Sequence, residues 1–296
     1  MVKYQQTEFE GVKALSVSNG IAELIIPTDM GIRIMSYSLK GGSNIFKVYS
    51  EHFAALSQPG WQLYGGHRVW HSPESKPRCY EEENLPLEQC QQTAEGLLLT
   101  QVTDDAAKVQ KQMLISLAPD SAEVTVKHSI TNRGEWPIKL SVWALSVLKS
   151  GGICAIEVPE KFMQLLPDRA ITLWPYARLN DKRVYWGDRV IALLQDSAAS
   201  EPFKYGTLAA KGKAVYLNDG VLFTKAFEAD EFAKYPDRGC NFEAYTNAEM
   251  LECESLSPLT VLDSGQTATH TEKWNLQRYL HNVDLHDEVS ILKLFK

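Results

Sequence analysis

The sequence predicts an all-β protein, a single domain over residues 1–296 built as a large sandwich of antiparallel sheets. Three observations lead there. Apolar and polar residues alternate with period two along much of the chain, breakers separate these runs at short spacings, and no segment carries a long helical periodicity. The length agrees, because sandwiches commonly exceed roughly 200 residues as one unit. A composition of 44% apolar and 23% charged residues supplies ample core.

The strands follow in order. IAELIIP at 21–27 and GIRIMSYSL at 31–39 alternate, then KGGSN at 40–44 breaks the chain. FKVYSEHFAALSQ at 46–58 holds one helical turn or two. GLLLTQV at 96–102 and AEVTVKHSITN at 122–132 are strands, and His128 shares the parity of Val124, Val126 and Ile130, which makes it a buried sheet histidine. NRGEWP at 132–137 turns the chain into PIKLSVWAL at 137–145, and KSGG at 149–152 ends that run. YARLNDKR at 176–183 reads as a turn with Arg178, Asp181 and Arg183 in solvent, and DEFAKYPD at 230–237 as a further helical turn. GxGxxG, GxxxxGK and HExxH are all missing, so dinucleotide, P-loop and zincin chemistry lack sequence support.

The net charge of -7 and pI near 5.6, with scattered basic residues, exclude a field that would attract nucleic acid or an anionic membrane. A neutral small molecule fits better. MVKYQQTEFEGVKAL lacks the apolar run of a secretion signal, and no segment approaches the roughly 20 apolar residues of a membrane span, so a cytoplasmic location is expected. Five cysteines without CxxC spacing read as reduced, and no thiolate metal site is indicated.

GCNFEAYTNAEMLECESLSPL at 239–259 reads as a hairpin. With Asn247 and Ala248 as a two-residue turn, Glu243 faces Glu252, Phe242 faces Cys253 and Asn241 faces Glu254. Phe242, Ala244, Leu251 and Cys253 then share the core face, while Asn241, Glu243, Tyr245, Glu252 and Glu254 share the other. Three carboxylates on one face call for a cation, an acid/base role or simply water. Lys204, in FKYG, is a candidate cation to balance Glu243 or Glu252.

A second candidate lies in GGHRVWH at 65–71. The GG before it and SP after it suggest a loop, which would present His67, Arg68 and His71 on a rigid scaffold, with Trp61 and Trp70 as flat apolar faces nearby. A zinc site from both histidines and a glutamate lacks any fixed geometry, so no metal is expected.

The opening IAELIIPTDMGIRIMSYSLKGGSNIF and the ending LECESLSPLTVLDSGQTATHTEKWNL resemble the galactose mutarotase-like (aldose 1-epimerase-like) superfamily, over nearly the whole chain. YGGHRVWHSPE, TLWPYARLNDKRVYWGD, FKYG and YPDRGCNFEAYTN resemble a bacterial branch of it. The resemblance implies a β-supersandwich with a sugar groove on one sheet. It also implies that a histidine protonates the ring oxygen while a glutamate deprotonates the anomeric hydroxyl, without any cofactor. Carried over, the glutamate is Glu254, or Glu252, and His67 or His71 is the acid. Arg68, Trp61, Trp70, Asn241, Glu243, Glu252 and Lys204 would contact the sugar. The family's mid-chain histidine is absent here: SVWALSVL carries Trp143 instead.

Three functions follow: a mutarotase or epimerase acting on an aldose, a carbohydrate-binding module of the same fold, or a lyase or hydrolase with paired carboxylates. A concave face of this kind also suits a homodimer.

Overall fold

The structure, a computed structural model, describes residues 1–296 apart from 55, 57–58, 160–164 and 166–168. Its strands form three antiparallel sheets rather than the two that alternation suggests, because the first strands close on themselves. Lys3–Phe9, Val12–Ser18, Ala22–Pro27 and Ser36–Leu39 make a separate four-stranded sheet. The ten-stranded sheet is organised around Thr267–Arg278, which lies between Val221–Phe227 and Val124–Asn132. The eight-stranded sheet, which carries the candidate site, runs Ile171–Leu173, Phe203–Thr207, Phe242–Thr246, Leu251–Leu256, Ile138–Leu148, His67–Ser72 and Arg33–Ile34. Thr260–Leu262 adds to the first residues of Ile138–Leu148. The two large sheets pack face to face, and their inward side chains form one continuous apolar core.

Helix is scarce. The 46–58 region holds a single turn, Ser50–Phe53, and positions 55, 57 and 58 lie outside the described residues. The 230–237 segment contains turns and no helix. A short helix at Glu288–Leu292, not anticipated, starts at Asp287, whose side chain accepts the amides of Val289 and Ser290. No described helix is long and apolar enough to cross a membrane, and all five cysteines are free thiols.

The 242–256 hairpin forms, but with a different register. Glu243 stands opposite Glu254, Ala244 opposite Cys253 and Tyr245 opposite Glu252. The connection is four residues long because the Asn247 side-chain oxygen accepts the amides of Glu249 and Met250, and this wider turn slides the pairing by two. A shift of two preserves side-chain parity, so the expected separation of faces survives.

GGHRVWH is not a loop. His67–Ser72 is a strand, with Trp70 opposite Trp143 and His67 opposite Ser146 on one side and Arg33–Ile34 on the other. The two glycines turn the chain into it. Gly65 has φ +89°, and a Cβ there would lie 2.1 Å from the Lys47 carbonyl oxygen. Gly65→Ala is therefore expected to lower the unfolding free energy by about 2–3 kcal/mol through left-handed strain and a backbone clash. Urea denaturation checks this, and a loss below about 0.5 kcal/mol would show that the turn relaxes freely.

The expectation of solvated charges at 176–183 also changes. Arg183 is buried, forms a two-point contact with Asp181, and lies 5.9 Å from the Phe203 ring centroid.

Candidate functional site

A cleft of about 380 Å³ lies on the outer face of the eight-stranded sheet. Period-two alternation supplies most of its floor. Along His67–Ser72, Arg68 and Trp70 point to the cleft. From Ile138–Leu148 come Trp143 and Leu145, from Phe203–Thr207 Lys204, and from the hairpin Tyr245 and Glu252. Loops add Trp61, Glu74, Tyr80, Trp174 and Tyr176 as walls.

The aromatic residues pack edge to face, apart from a tilted contact between Trp70 and Tyr80. Trp70 sits 5.5 Å from Trp61 and 5.7 Å from Trp143, centroid to centroid, and Tyr80 closes against both Trp61 and Trp70. Lys204 Nζ lies between two tryptophans, 4.8 Å from the Trp143 ring centroid and 4.6 Å from that of Trp174. Beneath them the ammonium meets two carboxylates. It donates to Glu254 Oε2 at 2.9 Å and stands 2.7 Å from Glu243 Oε2, a charge contact without hydrogen-bond geometry. Trp143 Nε1 also donates to Glu254 Oε2, at 2.8 Å.

Burial sets the electrostatics. It pushes the Glu243 carboxyl well above the usual range against the pull of Lys204, and neighbouring Glu254 adds to the rise. Burial alone would lower Lys204, but Glu254 and Glu243 outweigh it and hold the ammonium well above an ordinary lysine. Glu252 is raised by burial and by Glu254, although Arg68 beside it opposes the shift. Arg68 Nη2 donates to Glu252 Oε1 at 3.1 Å, and its guanidinium lies 4.6 Å from the Trp70 ring centroid.

Of the residues anticipated from sequence, Trp61, Arg68, Trp70, Lys204 and Glu252 line the cleft, and Glu243 and Glu254 lie directly beneath it under Lys204. Asn241 is elsewhere: its side chain accepts the Ala209 amide and donates to the Ala209 carbonyl, bracing a loop. His67 and His71 point away from the cleft. Strand alternation sends them to the opposite face from Arg68 and Trp70, which removes the geometry expected of a cleft acid. His67 Nε2 is 2.8 Å from His128 Nε2 and its Nδ1 is 2.9 Å from Ser146 Oγ, while His71 Nε2 faces Cys79 Sγ at 3.7 Å. Sequence reasoning passed over Tyr80 and Tyr176 as cleft residues, since loop aromatics carry no periodicity. Trp143 had a signal: it stands opposite Trp70 on the same face.

The core face of these strands holds a second polar cluster. His67, His128 and Glu272 bring their ligating atoms within 4.8 Å of one another, a spacing compatible with a metal. The donor set argues for a closed hydrogen-bond network instead. Lys225 Nζ stands 2.9 Å from Glu272 Oε1, and Trp274 Nε1 donates to Glu272 Oε2 at 2.8 Å, so both carboxylate oxygens are already engaged. Ser255 donates to the same carboxylate and takes a hydrogen bond from His270.

No family model matches the chain, and no curated protein matches it. Solved structures do. A galactose mutarotase-like protein from Clostridium acetobutylicum superposes with a TM-score of 0.57 at 10% identity, over 94% of this chain and 99% of that one. One from Lactobacillus casei gives 0.56 at 10% identity, over 89% and 100%. A TPR-domain containing protein from Parabacteroides distasonis gives 0.63 at 14% identity, over 93% of this chain and 48% of that one. The chain has the galactose mutarotase-like fold.

Proposed function

We propose that the protein recognises a small saccharide in the cleft of the eight-stranded sheet. The observation that carries this reading is the convergence of four tryptophans, Trp61, Trp70, Trp143 and Trp174, on a concave site whose lining also includes the polar ends of Arg68, Lys204 and Glu252. Flat apolar faces suit the C–H faces of a pyranose, and a few fixed charged groups suit its hydroxyls. The fold agrees, since its solved relatives are described as galactose mutarotase-like.

A second reading, chemistry at the anomeric centre, is favoured by Glu252. A general base works best with a pKa near the working pH, and burial raises this carboxyl in that direction. In this reading Glu252 takes the anomeric proton and the Lys204 ammonium donates toward the ring oxygen. Glu254, whose Oε2 is engaged by Trp143 and Lys204, then serves to hold Lys204 in position.

Saturation-transfer and exchange NMR across a panel of aldoses and uronic acids separates the two readings. Contact signals are expected from at least one sugar, and Trp143→Ala is expected to abolish them. If anomer exchange is accelerated, Glu252→Gln is expected to slow it by about 10²–10⁴-fold. Binding without acceleration leaves recognition alone, and no contact signal from any sugar removes the saccharide reading.

A further inference from the structure

At the Arg68 end of the cleft several hydrogen-bond donors meet no acceptor among the described residues. Arg68 is 3% exposed, and while Nη2 reaches Glu252, Nε and Nη1 have no hydrogen-bond partner. The indole Nε1 of Trp61 is also buried and unpaired. Both side chains line the cleft and both pack against Trp70. Buried polar groups are nearly always satisfied, and an arginine offers five donors and no acceptor, so the missing partner must be rich in acceptors.

The surrounding charge points the same way. Arg33 stands directly opposite Arg68 in the sheet, fully buried, and its guanidinium is pushed down to about 9 by burial and then by Arg68 itself. Arg33 is already held by the Gly65 carbonyl and by Glu83. Two cations therefore back this end of the cleft; Arg33 keeps one unpaired donor, Nε, but does not line the cleft, whereas the unpaired donors of Arg68 and Trp61 belong to side chains that do.

We infer that this end binds the carboxylate of an acidic saccharide, a uronate, through Arg68 and Trp61. The inference rests on the saccharide reading and names the class of sugar. It departs from the neutral substrate that the chain's overall charge suggests, because a local set of buried donors outweighs a distant net charge that salt screens. A carboxylate fits better than a phosphate. Glu252 accepts from the same guanidinium at 3.1 Å, and a dianion there would meet stronger repulsion than a monoanion.

Isothermal titration calorimetry with glucuronate, galacturonate and mannuronate, alongside their neutral parents and 6-phosphates, tests it. At least one uronate is expected to bind about 10- to 100-fold tighter than its neutral parent, the scale of charge-assisted hydrogen bonds. Arg68→Gln and Trp61→Phe are each expected to erase most of that preference. The readout is the ratio of uronate to neutral affinity within each variant, so a general loss of sugar binding at these cleft residues does not count as a loss of preference. Trp61→Phe keeps an aromatic ring in place, so it reports even if Arg68→Gln is poorly folded. Equal affinity for uronates and neutral parents would overturn the inference and leave saccharide recognition standing. Preference for the 6-phosphates, or a uronate preference unchanged in both variants, would overturn the carboxylate assignment. Failure of every sugar to bind would overturn both this inference and the reading beneath it.

Discussion

Lys204→Met is expected to lower the unfolding free energy by about 3–5 kcal/mol and to abolish sugar binding. Glu243 and Glu254 lie directly opposite one another on the hairpin and are almost fully buried, at 1% and 0% exposure. Two carboxylates in that position are tolerable because one ammonium contacts both, and because burial raises Glu243 and so disfavours a second full charge beside Glu254. Methionine matches the length of the stem but removes the charge. Glu254 is then a buried anion whose hydrogen bond from Trp143 remains, and that bond replaces only part of the lost ion pair. A double variant, Lys204→Met with Glu254→Gln, removes the charge from both sides and is expected to recover a large part of the loss. The coupling energy in that cycle measures the pair itself. Additive losses in urea denaturation would mean that Lys204 acts through packing between Trp143 and Trp174 and not through charge.

How this cluster was legible in the sequence, and how far, follows from the geometry of strands. Parity along 242–256 is a local property, so the sequence separates Phe242, Ala244, Leu251 and Cys253 from Glu243, Tyr245, Glu252 and Glu254. Register depends on the turn, and the Asn247 side chain opens a four-residue connection that the two-residue reading missed. His67–Ser72 was harder to read. All six residues are buried, one face against the core and the other against the cleft, so the segment shows no apolar alternation and its flanking glycines and proline dominate the reading. The core cluster was hidden for a related reason. His270 and Glu272 alternate in step with Ala268, Trp274 and Leu276, and Lys225 with Phe223 and Phe227, yet residues of these types are usually assigned to solvent. Lys225, Glu272, His128 and His270 meet on three neighbouring strands of the ten-stranded sheet, and the packing of the two large sheets adds His67 and Ser255.

That cluster makes the fold acid-sensitive in a predictable window. His67, His128 and His270 are buried between the large sheets, and His71 is buried beside Cys79. Burial lowers all four. His71 and His270 fall to about 3, with Lys111 adding to the first and Glu272 opposing the second; His67 falls well below the usual value and His128 below it. A histidine depressed in the folded state gives stability that is fully present above its unfolded value, near 6.5, and is lost as pH falls toward its folded value. The raised carboxyls of Glu243 and Glu252 work the other way, since the folded state holds their protons before the unfolded chain does. The four lowered histidines outnumber the two raised carboxyls, so the unfolded chain binds more protons than the folded one between about pH 6 and 5. Each net proton is worth about 1.4 kcal/mol per pH unit, so stability is expected to fall by at least about that much across the unit. Urea midpoints measured from pH 7.5 to 5 check the slope. A flat profile would require these histidines to be charged in the folded protein, and protonating His67 and His128 together would place two positive rings in contact beside Lys225. The hydrogen bonds between His67 and His128, and from His128 to the His270 carbonyl, fit neutral tautomers, so the same contacts that close the core resist protonation until the fold gives way.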